Sequence, residues 1–323
     1  MAADSCESLP DGADAEKPEN SGGIAAPSAG LVLVSTPIGN RADLSPRAVD
    51  TLRAADLVLC EDTRVTARLF AAHGIHTRLA PLHEHNEDAR IPALLDALRA
   101  GRMLALVSDA GTPLVSDPGY RLVRAALAEG LPVGAVPGAN AALLALVLSG
   151  LPPHPFLFSG FPPPRQAARL AGFARLRAAE RAGLSATLLW HEAPHRLAET
   201  LADLAQAFGD RPAAVARELT KRFEEVRRDT LPALAAHYRE HQARGEITVV
   251  VGPAPDAVPD ERDLDERLLR ALATCSVKDA VAEVAGATGL SRKRVYTRAL
   301  EVRRGALPLD PIGARRPQTP LLK

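Results

Sequence analysis

Between residues 30 and 150, short runs of uninterrupted apolar residues alternate with longer stretches of helical period. Residues 31–34 (LVLV) form the first such run, ended by Thr36-Pro37. Ser45-Pro46 reads as an N-cap and first helical position, with Ala48, Val49 and Leu52 on one face. Residues 57–60 give a second strand and 62–74 a helix, and Asn86 caps a further helix that ends near Gly101. A strand at 104–107, a helix at 117–130, a strand at 133–136 and a helix at 138–148 complete the series. Strands that are apolar at every position are buried on both faces. Alternating with helices, they call for a parallel sheet covered on each side.

The prolines between Leu151 and Pro155 interrupt this rhythm and mark a domain boundary. Beyond them the pattern predicts a strand at 156–159, a helix at 165–181 and strands at 187–190 and 213–217 around a helix at 194–208. A turn and strand at 223–230, a helix at 232–242 and a strand at 246–251 follow, so this half is α+β with more hairpin character. GPAPDAVP at 252–259 is a linker, and 263–304 is wholly helical. The expected organisation is a tail at 1–29, an N-terminal α/β domain at 30–150 and a second α/β domain at 151–253. A linker at 254–262, a helical domain at 263–304 and a tail at 305–323 complete it. No repeat of solenoid period is present.

Charge changes this picture only once it is divided along the chain. The net formal charge is zero. Residues 1–29, however, carry six acids against Lys17, and residues 263–323 carry twelve basic residues against seven acids. An acidic, Pro- and Gly-containing tail of low hydrophobicity is expected to be disordered. It has no basic n-region followed by an apolar core, so it is not a signal peptide. The longest apolar run, 141–148, stops at Ser149-Gly150, far short of the ~20 residues needed to span a bilayer. Cys6, Cys60 and Cys275 are too few and too scattered for a disulfide framework or a thiolate metal cage. A cytoplasmic protein is the expectation. Aromatic residues make up only 3%, which argues against a stacking platform for single-stranded nucleic acid.

In open parallel sheets ligands lie beyond the carboxyl ends of the strands. The segments there are Thr36-Pro37-Ile38-Gly39-Asn40, Glu61-Asp62-Thr63-Arg64, residues 108–119 (SDAGTPLVSDPG) and Pro137-Gly138-Ala139-Asn140. Four polar, Gly- and Pro-bearing turns at one sheet edge point to a ligand site rather than to chain reversal alone. The first loop has a single glycine and is not GxGxxG, and no GxxxxGK[ST] loop exists, so neither a nicotinamide fold nor a phosphate loop is supported.

His191-Glu192-Ala193-Pro194-His195 matches HExxH letter for letter. That zinc pattern needs both histidines on one face of a continuous helix. Here a strand runs into His191 and Pro194 suits a first helical turn, so the two histidines straddle a strand-to-helix turn and no zinc site is expected. His83-Glu84-His85-Asn86 reads as a polar loop or cap. The stretch 279–300, with Gly286, Gly289 and Ser291 at its turn, has the rhythm of a helix-turn-helix with Arg292-Lys293-Arg294 and Arg298 on the second helix. It is either a small bundle with a solvated basic face or a nucleic-acid contact. Arg165, Arg169, Arg175, Arg177 and Arg181 read as an exposed helix face.

These loops in this order, with HEHNE at 83–87, SGLP at 149–152, HRL at 195–197, ARELTK at 216–221 and GEITVVVGP at 245–253, resemble the small-subunit (16S) rRNA (cytidine-2′-O)-methyltransferases of the tetrapyrrole methylase superfamily. The resemblance covers about residues 31–304. It implies two α/β domains, a homodimer, and S-adenosylmethionine (S-adenosyl-L-methionine) held in the cleft between the domains. Carried over by position, it places the cofactor against Pro37, Ile38, Gly39, Asp109, Ala110, Gly111, Thr112, Val115, Asn140 and Ala141. It puts Glu192 at the cleft, with Glu218 and Lys221 beside it. The chain departs from the family in its acidic tail, in Pro162-Pro163-Pro164 before a lone Arg165 where Lys and Arg usually stand together, and in Ala139 where Pro is common.

A sulfonium methyl is already activated, so the protein mainly has to align it with the incoming ribose oxygen. A ribose hydroxyl is a weak acid, and a carboxylate or His that accepts its proton helps. The candidates are Asp62 and Glu192, with Arg64 and Lys221 binding phosphate or orienting the acid. No metal is required. The alternative is a methyltransferase of the same fold acting on a tetrapyrrole, a corrinoid or another small substrate. The basic helical appendage favours rRNA and the small ribosomal subunit.

Overall fold

A computed structural model describes residues 29–255, 261–288 and 290–305. The two tails and the centre of the linker expected from sequence therefore lie outside the described residues, apart from Ala29 and Gly305.

The first half is a five-stranded parallel sheet in the order β3-β2-β4-β1-β5. Its strands are β1 (Gly30–Val34), β2 (Leu57–Cys60), β3 (Leu79–Pro81), β4 (Met103–Val107) and β5 (Val133–Val136). Strand alternation sends Val32 and Val34 to one face and Leu31 and Leu33 to the other. On the first face they meet Leu52 of α1 (Pro46–Ala54) and Phe70 of α2 (Thr63–His73). On the second they meet Leu94 and Leu98 of α3 (Glu87–Arg99) and Leu122 and Ala126 of α4 (Tyr120–Ala128). Burial of each such leucine stabilises by roughly 2 kcal/mol. The expected cap forms at Ser45, whose hydroxyl accepts from Ala48 N–H at 3.1 Å, and Gly74 closes α2 in the left-handed region at φ 61°. Strand β3 has no counterpart in the sequence reading, because three residues ending in Pro at a sheet edge carry little pattern.

The second half is a mixed sheet in the order β6-β7-β10-β8-β9. It comprises β6 (Phe156–Phe158), β7 (Thr187–Glu192), β8 (Pro212–Arg217), β9 (Glu225–Thr230) and β10 (Ile247–Val251). Only β6 and β7 run parallel. Leu188 and Trp190 of β7 pack with Phe173 of α6 (Gln166–Arg181), Leu204 of α7 (Leu197–Phe208) and Leu234 of α8 (Leu231–Glu240). The opposite face, with Leu189, Ala214, Ala216 and Val250, packs on α5 (Ala141–Ser149). Helix α5 follows directly from β5 of the first sheet, so its apolar sequence AALLALVLS joins the two halves. The fold is α/β throughout this unit, which extends to Pro253.

Several helix and strand limits differ from the sequence reading, those beside the site by two or three residues. The helix expected from 117 begins only at Tyr120, and the one expected from 138 begins at Ala141 with Asn140 as its cap. The strand expected to end at Trp190 continues to Glu192, because His191 and Glu192 pair with Thr248 and Ile247. The helix expected from 194 begins at Leu197. The α6 arginines are not a uniform exposed face. Arg169 is 1% exposed, and its guanidinium lies 2.6 Å from the Asp203 carboxylate of α7. A second buried pair joins Arg211 to Glu180 at 2.6 and 2.8 Å.

The remaining unit consists of α9 (Glu261–Leu272), α10 (Val277–Thr288) and α11 (Arg292–Gly305), packed around Leu268, Val281, Val284 and Val295. Arg292, Lys293 and Arg294 are exposed at the start of α11. Arg298 differs from them, since its guanidinium meets Asp265 in a bidentate pair at 2.7 and 2.8 Å and so braces α11 on α9.

Candidate active site

The carboxyl ends of β1 and β4 are locked together beyond the sheet. Thr36 N–H donates to the Gly111 carbonyl at 2.8 Å and Gly111 N–H returns to the Thr36 carbonyl at 3.1 Å. Thr112 extends this frame. Its hydroxyl donates to the Ala139 carbonyl at 3.1 Å, while Asn140 Oδ1 accepts from Leu143 N–H at 3.0 Å to cap α5. Gly111, Thr112 and Asn140 therefore hold the loops. Ile38, Asp109, Ala110, Val115 and Ala141 face a cavity of about 370 Å3 between the two sheets. The other wall carries His191, Ala216, Leu219 and Thr248. Pro37 and Gly39 face an adjoining hollow instead.

The 114–119 segment explains why α4 starts late. Leu114 and Ser116 adopt left-handed backbone at φ 72° and 69°, where side chains other than glycine are strained. Gly119 follows at φ 114°, and a Cβ there would collide with Leu106. This path presents Asp117 to the cavity in place of opening the helix there. Burial, reinforced by the Glu61 and Asp109 carboxylates, raises the Asp117 carboxyl to about 6. Burial also raises Asp109, although Asp62 N–H donates to its Oδ1 at 3.1 Å and opposes the shift.

The four residues expected to do chemistry do not converge. Asp62 and Arg64 form a bidentate pair with contacts of 3.0 and 2.6 Å, and Arg64 N–H also donates to Asp62 at 2.8 Å. Those bonds from Arg64 hold the Asp62 carboxyl down at about 2, and neither side chain lines the cavity. Glu192 borders the cavity, but its side chain is engaged elsewhere. Oε1 accepts from Ala193 N–H at 2.8 Å, and Oε2 accepts from the Thr200 hydroxyl of α7 at 2.5 Å. Strand parity accounts for this: Leu189 and His191 lie on the α5 face of β7, so Trp190 and Glu192 lie on the α7 face. Lys221 Nζ reaches Glu218 at 2.8 Å and Glu246 at 3.0 Å; burial works against its proton, but those hydrogen bonds outweigh it and raise its affinity.

His191, Asp117 and Glu246 are titratable cavity residues that the sequence reading does not place in the site. The His191 ring lies edge-on to Phe158 with centroids 4.8 Å apart, and its Nδ1 is 3.0 Å from Thr248 Oγ1. Burial lowers its proton affinity against the pull of Glu246. His195 lies in the turn before α7 and His191 in β7, so the HExxH letters do not share a helix face. Among the described residues no group of three His, Cys, Asp or Glu is placed to hold a metal, and no helix is long and apolar enough to cross a membrane.

Comparison with known proteins fits this layout. The family of tetrapyrrole (corrin/porphyrin) methylases matches residues 30–235, and an RsmI C-terminal helix-turn-helix domain matches 258–303. A protein from Mesorhizobium japonicum named ribosomal RNA small subunit methyltransferase I is 48% identical over 84% of this chain and 92% of its own. Its namesake from Micromonospora olivasterospora is 49% identical over 82% and 85%. The solved structure of a diphthine synthase shares the fold at TM-score 0.53 and 18% identity, covering 69% of this chain and 89% of that one. Two sheets joined through α5, loops bridged at Thr36 and Gly111, and a helix-turn-helix appendage thus coincide with near-half identity along most of the chain. On that footing the chain belongs to the tetrapyrrole methylase family, in the group of ribosomal RNA small subunit methyltransferase I proteins.

Proposed function

We propose that this protein is a cytoplasmic, S-adenosylmethionine-dependent methyltransferase that acts on the 2′-oxygen of a cytidine in 16S rRNA within the small ribosomal subunit. The identity with relatives that carry the rRNA methyltransferase name carries the reading.

The cavity suits the cofactor. Its volume lies in the usual range for small-ligand sites. Ala110, Ala141 and Ala216 leave its walls smooth enough for a flat base, and the carboxylates of Asp109 and Asp117 favour a cationic centre. When bound, S-adenosylmethionine supplies a methyl group on a positively charged sulfur, open to displacement by an oxygen. The residues that would hold it are Ile38, Asp109, Ala110, Val115 and Ala141, on the frame kept by Gly111, Thr112 and Asn140.

The chain's own part in the reaction is to orient the ribose and take its proton. Asp117 is the proton acceptor in this reading. It faces the cavity, is ionised at neutral pH, and binds a proton more strongly than an ordinary carboxylate, as general-base catalysis near pH 7 favours. Asp62 is too weak a base, and Glu192 already uses both oxygens. Glu192 is thus a positioning residue that ties the end of β7 to α7, and Lys221 closes the far side through Glu218 and Glu246.

The protein acts as a homodimer in this proposal. Leu143 and Val147, one turn apart on α5, are 48% and 71% exposed, apolar side chains on one helix face that suit a second copy. Sedimentation at micromolar concentration tests this point. The cofactor assignment is tested by calorimetry on Ala141→Trp, which fills the cavity. Loss of S-adenosylmethionine binding is expected, and unchanged affinity places the cofactor elsewhere.

A further inference from the structure

The cavity has a neighbour. A second hollow of about 270 Å3 shares Ile38, Asp109, Ala110 and Glu246 with it and continues past Gly39 to Arg41, Arg68 and Lys221. Charge is divided between the two. Asp109 and Glu246 border both, Asp117 faces only the first, and Arg41, Arg68 and Lys221 face only the second. Most nearby cations are spoken for: Lys221 by Glu218 and Glu246, and Arg64 by Asp62. Arg41 and Arg68 differ. Both are exposed, Arg68 donates only its Nε to the Arg64 carbonyl at 3.3 Å, and neither forms an ion pair among the described residues.

Both arginines stand on fixed backbone. Arg41 opens the 3-10 turn Arg41–Asp43, whose cap Asn40 donates its N–H to the Thr220 hydroxyl of the opposite half at 3.2 Å. Arg68 lies mid-way along α2, whose cap Asp62 is tied to Asp109. Gly39 between them has no room for a Cβ, which would strike the Lys221 side chain. Two guanidiniums without counter-ions, held at a hollow that opens from the reaction cavity, make a ready site for a phosphate diester.

We propose that this second hollow receives the phosphodiester next to the target ribose, with Arg41 and Arg68 as its phosphate contacts. The inference rests on the RNA methyltransferase reading above. In RNA the 2′-oxygen and the 3′-phosphate ester stand on adjacent carbons of one ring. A 2′-hydroxyl brought to the methyl group in the first cavity therefore carries a phosphate anion with it. Asp117 repels that anion within the first cavity, and the hollow that carries Arg41, Arg68 and Lys221 directly adjoins it.

The test uses Arg41→Gln, Arg68→Gln and their lysine counterparts in the full-length protein, with Arg102→Gln as a control at the amino edge of β4. Binding to unmethylated small ribosomal subunits is measured over a potassium chloride series from about 50 to about 200 mM. Each Gln variant is expected to weaken binding roughly tenfold and to reduce the slope of log K against log salt by about 1. S-adenosylmethionine affinity stays at the wild-type value, and the Lys variants recover most of the slope. A slope unchanged in both Gln variants overturns the assignment, as does a parallel loss of cofactor affinity, which makes the hollow a cofactor subsite. Wild-type protein that binds the cofactor but neither binds nor methylates subunits overturns the RNA reading itself, and the wild-type control alone reveals that case.

Discussion

Asp62 donates its backbone N–H to Asp109 Oδ1 at 3.1 Å while its own carboxylate is clasped by Arg64. One aspartate thus supports another and leaves the cavity to it. The carboxyl group with the sharpest motif around it is a strut, and the cavity carboxylates are Asp109 and, further along, Asp117. A carboxyl held at about 2 has little drive to take a proton from a hydroxyl. Asp62→Ala is accordingly expected to change kcat by less than about tenfold, measured as methyl transfer at saturating substrates. A loss of a thousandfold would return Asp62 to the reaction.

Asp117→Asn is expected to lower kcat by about a hundredfold or more while leaving cofactor binding within a few-fold. The pH dependence carries the sign. Asp117 works ionised, so wild-type kcat rises as pH passes through about 6 and levels above it, and the variant loses that limb. Stability moves the other way. The raised carboxyl favours the folded state below its unfolded value near 3.8, and that contribution is gone once pH rises past about 6. The neutral amide is therefore expected to stabilise the protein at pH 7.5 by about 1 kcal/mol, allowing for partial solvent exposure. Urea titrations at pH 4 and pH 7.5 check it, with the gain confined to the higher pH.

Glu192→Ala removes the acceptor for Ala193 N–H and the Thr200 hydroxyl inside the protein, at a residue only 2% exposed. A loss of about 2–3 kcal/mol in urea unfolding is expected. Glu192→Gln keeps an acceptor and is expected to recover most of the stability. It also retains the kcat limb near pH 6, a result incompatible with Glu192 being the proton acceptor.

Asp203→Ala leaves Arg169 buried with only Glu199, 3.7 Å away and largely exposed, as a counter-ion. Unfolding free energy is expected to fall by about 3–5 kcal/mol. Replacing Arg169 and Asp203 together by Met and Leu is expected to cost far less. Equal losses in the single and double variants would mean that the pair, and not the stranded charge, sets the effect.

How far the sequence carries this account depends on how local each signal is. The buried strands, the Ser45 cap and the loops at Ile38 and Asp109 rest on residues adjacent in the chain, and they stand in the structure where the pattern puts them. Asp117 is hidden because the pattern begins a helix at that residue, whereas left-handed Leu114 and Ser116 carry no local mark at all. His191 escapes the pattern because strand β7 runs two residues further than its apolar run, its last residues held by pairing with Thr248 and Ile247 more than fifty residues on. Among the four similar arginines on α6, only a partner on α7 sets Arg169 apart. The burial of Glu192 follows from strand parity, which becomes readable once the strand's true end is known.

The most direct test is methyl transfer from labelled S-adenosylmethionine to small ribosomal subunits from a strain lacking this protein, with mass spectrometry of the digested nucleosides. The expected product is 2′-O-methylcytidine, formed by the wild type and abolished in Asp109→Ala, which opens the wall shared by both hollows. Label on a base, on another ribose or on no RNA at all, from a protein that still binds the cofactor, would contradict the account.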